Sequence, residues 1–249
     1  LKDAGITPIS LGEGDKWPGH FYWSYLAIRE GGQDAFEAAY SGDGSFADEP
    51  FVKAGEDLAQ LVELEPFQSG FLAATYPESS QVFADAGAAM EVMGHWSPGN
   101  MDALAEDPAA MRADLGWFPF PAVEGGAGAP TDVLGGGDGF AIGANAPDEA
   151  VAFVRDMTSL DVQSAWAAEG FAVPPVVTGA EEAVTDENII PVMEALAEAS
   201  YFQLYYDQFL PPAVGGVVLD ETQLLIAGQQ SPEGVAEAVE ASFESEMGS

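Results

Sequence analysis

The sequence predicts an α/β protein, because short apolar segments alternate with longer amphipathic segments along its 249 residues. The short segments are strand candidates at residues 7–11, 88–93, 115–121 and 134–142. The longer segments carry helix start and stop signals, and they cover about half of the chain. Four or five strands are few for a complete doubly wound sheet, so the sequence predicts only part of such an architecture.

The first half of the chain begins with the strand at 7–11, which enters a loop over residues 12–20. That loop is rich in glycine, proline and aromatic residues, which interrupt periodic structure. Helices are predicted at 21–29, 34–40, 51–64, 79–86 and 101–104. The helix at 51–64 has the clearest pattern, since its apolar residues recur at helical spacing. The first of these helices ends at the pair Gly31-Gly32.

The second half of the chain contains two glycine-rich stretches, at residues 124–130 and 135–139. The stretch at 135–139 is predicted to form a turn that leads into a strand ending at Ile142. Helices are predicted at 147–158, 161–169, 189–199, 217–227 and 232–246. The first of them has Pro147 and two acidic residues in its opening turn, where both are favourable. Pro174-Pro175 interrupts the chain, and an aromatic cluster occupies residues 201–207.

The charge balance is strongly acidic, with 42 Asp and Glu against 6 Lys and Arg and a formal net charge of −36. Such a chain is a poor partner for nucleic acid and for an anionic membrane surface. The acidic residues are spread through patterned segments, which excludes a disordered acidic tail. Self-repulsion of this size is relieved by salt, so we interpret the composition as an adaptation to a saline habitat; an ordinary acidic extracellular protein is the alternative. The chain has no cysteine, and disulfides are therefore excluded.

Motifs for common cofactors are missing from the sequence, and we predict no cofactor. It has no Walker loop, no dinucleotide-binding glycine pattern, no zinc-protease motif and no calcium-binding loop. Ser97 does not match the nucleophile-elbow motif, because His95 occupies the position two residues earlier, where that motif requires glycine. A triad of Ser97 with His20 stays open, as does a pair of carboxylates for glycoside hydrolysis.

Both histidines follow a glycine and precede aromatic residues, as Gly19-His20-Phe21 and Gly94-His95-Trp96. A catalytic pair, a metal site and two loops that face a ligand would each account for this repetition. Aromatic residues also cluster where glycine and proline break the pattern, at 17–23, 95–96 and 201–206. Aromatic rings with polar neighbours suit a sugar, which has apolar faces and a rim of hydroxyls. Some of these rings are expected in the core, namely Trp23, Tyr25, Trp166 and Phe202.

The chain resembles the carbohydrate-binding solute-binding proteins of ABC transporters, the maltose-binding-protein-like group. The matching stretches, in the order of that family, are residues 4–9, 16–18, 87–96, 114–121, 132–143 and 201–212. The pattern Gly-x-Ala-Ala-Met followed by Gly-x-Trp, at 87–96, combines with Phe-Pro-x-Pro at 118–121 into a fairly specific signature. This resemblance implies a two-lobe periplasmic-binding-protein-like fold (type II), with ligand bound in the cleft between lobes.

The resemblance also implies a division of the chain between the lobes. Residues 1–119 and 173–249 would belong to the C-terminal lobe, and residues 120–172 would visit the N-terminal lobe, with the crossing strand at 116–121. The first third of the family, with its signal peptide and most of the N-terminal lobe, has no counterpart here. We therefore expect an apolar face and a bare sheet edge in the 122–172 excursion, covered by a partner segment.

The function implied by the resemblance is sugar capture without catalysis. Trp96 would be the stacking platform, with Trp17 and His20 along the same cleft and Tyr205, Tyr206 and Asp207 on a third side. Gly136 would let the backbone approach the ligand from the opposite lobe, with Asp138 nearby. The expected partners are a mono- or oligosaccharide and the membrane subunits of an ABC transporter, for a monomer outside the cell or in the periplasm, possibly lipid-anchored. A glycoside hydrolase and a structural module are the alternatives.

Overall fold

The structure is a computed structural model that describes residues 1–171 and 174–248, so the predicted return of the chain at 172–173 lies outside the described residues. The strands are β1 (Thr7–Ile9), β2 (Ala88–Met90), β3 (Val133–Gly135) and β4 (Phe202–Leu204). The helices are α1 (Trp17–Ser41), α2 (Glu49–Glu63), α3 (Tyr76–Ala84), α4 (Ser97–Asp102), α5 (Pro108–Asp114), α6 (Asp148–Met157), α7 (Leu160–Ala168), α8 (Ile190–Glu198), α9 (Tyr206–Phe209), α10 (Pro212–Ile226) and α11 (Pro232–Met247). The predicted α/β class is confirmed.

The strands form two separate parallel pairs. β1 pairs with β2, with Thr7 opposite Ala88, and β3 pairs with β4, with Gly135 opposite Leu204. Because the carboxyl ends of parallel strands meet at one edge, the segments that follow β1 and β2 lie side by side. The same holds for the residues after β3 and β4, which begin with Gly136. The strand pairs therefore determine which loops meet.

The main core lies among α1, α2, α10 and α11. Trp23, Leu58, Val218 and Val239 represent these four helices in it, and each is fully buried. The apolar faces of these helices pack against one another and exclude water. Such packing is the main source of helix stability in a protein. This core fixes α1, the helix that carries most of the candidate site.

The predicted loop at 12–20 was wrong, because α1 already begins at Trp17 after a short 3-10 helix at Glu13–Asp15. Pro18 sits in the first turn of α1, where its missing N–H costs nothing and its fixed φ favours the helix. The predicted break at Gly32 is real but local. Gly32 has φ 63° and ψ −165°, and the helix resumes beyond it. Only glycine adopts such a conformation readily.

Two strand predictions were wrong as well. Residues 115–121 form no strand, since two prolines remove hydrogen-bond donors that a ladder needs. Residues 140–142 form none either, and the strand precedes the glycine turn, as β3, instead of following it. Helix α5 was not predicted; Asp107 caps it by accepting a hydrogen bond from the Ala110 N–H at 3.0 Å.

The excursion expected to have an open apolar face exposes large apolar side chains. Phe140, Phe153 and Phe171 are each at least 60% exposed. The expectation that another protein segment covers this part of the chain stays a prediction. Along the stretches 1–171 and 174–248, no helix combines the length and the apolar character that a membrane crossing requires.

Candidate functional site

Five aromatic side chains form a continuous row, which we call the aromatic row: Tyr205, Phe21, Trp17, Tyr76 and Trp96. Its ring centroids are separated by 5.0 Å between Tyr205 and Phe21, 5.4 Å between Phe21 and Trp17, and 4.8 Å between Trp17 and Tyr76. Trp17 and Trp96 are 6.4 Å apart. The row contains both Trp17 and Trp96, which were predicted to line the same cleft and are 79 positions apart in the sequence.

Three helix beginnings converge on the row. Trp17 is the first residue of α1, Tyr76 is the first residue of α3, and Trp96 directly precedes α4. The β1–β2 pair brings the beginnings of α1 and α4 together, because the segments that lead into them follow the carboxyl ends of its strands. Several of the first N–H groups of the three helices already have acceptors, such as Oδ2 of Asp15 for Tyr76 at 2.7 Å and the Gly94 carbonyl oxygen for Ser97 at 3.0 Å. The row is therefore mainly an apolar surface.

Tyr76 links the row to a polar edge. Its hydroxyl accepts hydrogen bonds from Nε1 of Trp96 at 3.1 Å and from Nδ2 of Asn100 at 3.0 Å. These bonds fix the tilt of the Trp96 ring and leave Asn100 exposed at the edge. The sequence analysis did not include Tyr76, although the signal was present: Tyr76-Pro77 interrupts the chain in the same way as the other aromatic stretches.

The other end of the row rests on Tyr205, whose ring stacks on Phe21 with an interplanar angle of 24°. Gly136 makes this placement possible, because a Cβ there would lie 2.5 Å from Cδ2 of Tyr205. Asp138 is exposed. Burial lowers the pKa of His95, and the charge of Asp138 opposes this in part; burial raises the pKa of Tyr205, with Asp138 as a smaller contribution. Gly136 and Asp138 thus lie next to the row, as expected for residues of one site.

The two histidines lie at different depths. His20 is fully buried; its Nδ1 is 2.6 Å from the Trp17 carbonyl oxygen, and its Nε2 is 3.2 Å from Oδ1 of Asp207 without hydrogen-bond geometry. His20 therefore lies beneath the row, where it connects α1 with α9. His95 is half-buried with its ring 5.4 Å from Trp96, and burial lowers its pKa. The two rings form no pair with each other in the described structure.

Tyr206 requires a correction. The structure places it in the core, 1% exposed, with its ring 4.9 Å from Phe36 and 5.8 Å from Trp23. Tyr205 precedes α9 with non-helical backbone angles, whereas Tyr206 is the first residue of the helix; Tyr205 faces the row and Tyr206 faces inward. Tyr206 is therefore left out of the proposed site. Of the rings expected in the core, Trp23 is fully buried, whereas Phe202 is 43% exposed.

The alternative chemistries find little support in the described residues. The hydroxyl of Ser97 donates to Glu91 and not to a histidine. No group of three or more His, Cys, Asp or Glu side chains within 1–171 and 174–248 is arranged to hold a metal ion. What the site offers is a row of rings with a few polar side chains at its edges, an arrangement suited to holding a ligand.

Two carboxyl groups, one buried and one half-buried, have a raised pKa. Glu13 is fully buried, and neither carboxylate oxygen has a hydrogen-bond partner among the described residues. Burial raises its pKa to about 8, against smaller opposing effects of the Gly19 N–H and Lys16. Burial likewise raises the pKa of Glu91 to about 7, opposed in part by the hydrogen bond from Ser97. Both groups therefore bind a proton more tightly than in an unfolded chain.

We expect Glu13→Gln to increase stability above neutral pH. The folded pKa lies above the unfolded value of 4.5, so the unfolded chain loses the proton first and stability falls as the pH rises from about 4.5 to about 8. At pH 8 the variant should be more stable by roughly 4 kcal/mol, with little difference at pH 4.5. Urea unfolding at both pH values measures this. Glu106→Gln, which removes an exposed carboxylate, is the control; an equal gain there would attribute the effect to net charge.

Comparisons with known proteins identify the family of the chain. A sequence profile of the bacterial extracellular solute-binding protein family matches residues 1–164. An uncharacterized ABC transporter extracellular-binding protein from Pyrococcus horikoshii is 31% identical over 122 residues, which cover 49% of this chain and 26% of that protein.

Two solved structures share the fold closely. One comes from work on xylan utilization by the thermophilic bacterium Caldanaerobius polysaccharolyticus; it is 26% identical, has a TM-score of 0.84, and is matched over 96% of this chain and 62% of its own. The other is a chitin oligosaccharide binding protein, 25% identical with a TM-score of 0.83, matched over 98% of this chain and 61% of its own. The chain thus spans about three-fifths of the length of these structures and about a quarter of the curated relative. Its periplasmic-binding-protein-like fold is confirmed, and the chain belongs to the bacterial extracellular solute-binding protein family.

Proposed function

We propose that this chain binds an uncharged oligosaccharide along the aromatic row and serves an ABC transporter as its sugar receptor. The observation that carries the proposal is the row itself, in which Trp17 and Trp96 lie 6.4 Å apart among three helix beginnings. Sugars stack their apolar faces on such rings and direct hydroxyls to polar edges. The similarity to a chitin oligosaccharide binding protein supports the same ligand class.

The proposed contacts follow the geometry of the row. Trp96 and Trp17 provide the stacking surface, Tyr205 extends it, and Asn100 and Asp138 are available to ligand hydroxyls at the edges. His20 and Asp207 support the row from below. The two lobes implied by the resemblance, with residues 120–172 as the excursion, would add the opposite wall, and the apolar face around Phe118 and Phe153 would pack within that second lobe.

The local charge favours a neutral ligand. Asp138 and Asp207 lie beside the row, and the ammonium of Lys16 is already paired with Asp220 at 2.6 Å. A carboxylated sugar would meet uncompensated negative charge here, and the net charge of −36 would slow its approach. The receptor would act as a monomer outside the cell or in the periplasm, and its lobes would close on the ligand for delivery to the membrane subunits.

A thermal-shift screen tests the proposal. Xylotriose and chitotriose, at concentrations far above Kd, should raise the Tm by several degrees, because a ligand that binds only the folded state stabilises it by mass action. Xylotriose with a glucuronic acid branch should bind at least tenfold more weakly in 0.15 M salt, and the difference should narrow in 1 M salt as the charges are screened. Absence of any shift would favour a structural module, and turnover of the sugar would show an enzyme.

A further inference from the structure

Arg29 has an unusual set of partners for a buried cation. It lies in α1, is 1% exposed, and directs its hydrogen bonds to backbone carbonyl oxygens of a single segment, residues 120–132. Nε donates to Pro121 at 3.0 Å, Nη1 to Ala129 at 3.0 Å and Asp132 at 2.8 Å, and Nη2 to Phe120 at 2.9 Å and Pro130 at 3.2 Å. All five donors of the guanidinium fork are thus used to hold this segment.

The surroundings of Arg29 strengthen this attachment. The rings of Tyr25 and Phe120 stack at 4.6 Å with an interplanar angle of 2°, and the guanidinium lies 5.5 Å from the centroid of Tyr25. The N–H groups of Ala127 and Gly128 donate to the carbonyls of Glu30 and Arg29, each at 3.0 Å. These two carbonyl groups lie just before Gly32, where α1 is interrupted. Because of the interruption they are available to the N–H groups of the segment instead of to the next turn of the helix.

The segment held by Arg29 leads into the strand pair that carries Tyr205. The carbonyl oxygen of Asp132 accepts a hydrogen bond from Arg29, and Oδ1 of the same residue accepts one from the Ser200 hydroxyl at 3.1 Å. The Val133 N–H donates to the backbone carbonyl oxygen of Tyr201 at 3.0 Å, and the Tyr205 N–H donates to that of Gly135 at 2.9 Å. Tyr205 then stacks on Phe21 of α1, eight residues before Arg29 on the same helix. Contacts thus run from α1 through residues 120–132 to the β3–β4 pair, and return from Tyr205 to α1.

We propose that Arg29 is a positioning residue for the aromatic row: by fixing residues 120–132 on α1 it sets β3 and β4, and thereby the Tyr205 ring, at stacking distance from Phe21. The proposal rests on the proposed sugar site, to which it adds a determinant that does not touch the ligand. A loosened segment would let Tyr205 leave the row while the main core stays packed.

Arg29→Lys tests this proposal, because lysine keeps the charge but cannot donate along five directions. We expect amide hydrogen exchange at Val133 and Tyr205 to become at least tenfold faster than in the wild type, with Leu58 and Val239 of the core unchanged. The Kd for xylotriose, measured by calorimetry, should rise about tenfold. Arg155→Lys is the control, since Arg155 lies exposed in α6 and the same substitution there touches neither residues 120–132 nor the row; it should leave both readouts unchanged.

Unchanged exchange and affinity in Arg29→Lys would overturn the proposal, and so would a lower Tm with uniformly faster exchange and an unchanged Kd. If the variant does not fold, Gly128→Ala decides, because its Cβ would collide with the Ile28 carbonyl oxygen and lift the segment while Arg29 stays. Gly116→Ala, where a Cβ meets open space, is its control. Should the wild type bind no sugar, the proposed function fails, and exchange at Val133 and Tyr205 still decides whether Arg29 positions Tyr205.

Discussion

Trp96→Ala is expected to weaken oligosaccharide binding by ten- to a hundredfold, or about 1–3 kcal/mol, since a stacking ring is lost from the row. Trp96 is half-buried and its Nε1 bonds to the Tyr76 hydroxyl at 3.1 Å, so the ring is presented in one orientation. Calorimetric titration with xylotriose or chitotriose measures the change. The fold should persist, because the ring lies outside the main core.

Trp166→Ala is the control for Trp96. Trp166 is also half-buried and also makes one edge contact, with Phe171 at 5.5 Å, but it lies in α7, outside the row. This variant should lose some stability and keep its affinity. Equal affinities for Trp96→Ala and the wild type would remove Trp96 from the site.

Tyr206→Ala is expected to destabilise the protein by about 3–5 kcal/mol, as is usual when a large aromatic side chain is removed from a packed core. Tyr206 is 1% exposed and contacts Trp23, Phe36 and Phe46. Tyr205→Ala should have the opposite profile, with a modest loss of stability and a tenfold or larger loss of sugar affinity. Urea unfolding and calorimetry on the same two variants compare these effects.

The neighbouring positions make this pair informative. Both substitutions remove a tyrosine from the start of α9, so differences in local helix propensity are small. If Tyr206→Ala remained stable and lost affinity, the core assignment of Tyr206 would be wrong and the sequence-based expectation would be restored.

The helices could be predicted largely because their ends carry explicit signals. Pro232 starts α11 after the capping residue Ser231, as predicted. The start of α3 was predicted three residues late, at 79, because the capping box of Thr75 and Glu78 was not used. The strands are only three residues long, too short for a periodic pattern, and their pairing depends on contacts far apart in the sequence. The prolines of 115–121 show how an apolar segment can look like a strand and yet lack the donors for one.

The site could be predicted in part. Glycine and proline neighbours pointed to Trp17 and Trp96, and the fold brings these two rings within 6.4 Å of each other; their role in binding stays a prediction. The same rule misplaced Tyr206, because composition does not reveal which of two adjacent tyrosines points inward. It also placed His20 in a loop, whereas Pro18 starts a helix and turns His20 into its interior face. The role of Arg29 was out of reach, since its five acceptors are backbone carbonyls that have no sequence signature.

Amide hydrogen exchange of the wild type with and without saturating neutral oligosaccharide tests the central claim most directly. We expect slower exchange at the beginnings of α1, α3 and α4 and at residues 136–138, where the ligand would cover the aromatic row. Protection confined to other surfaces, such as the groove beside Phe36, Tyr40 and Phe209, or no protection at a concentration that saturates a thermal shift, would contradict sugar binding on the aromatic row.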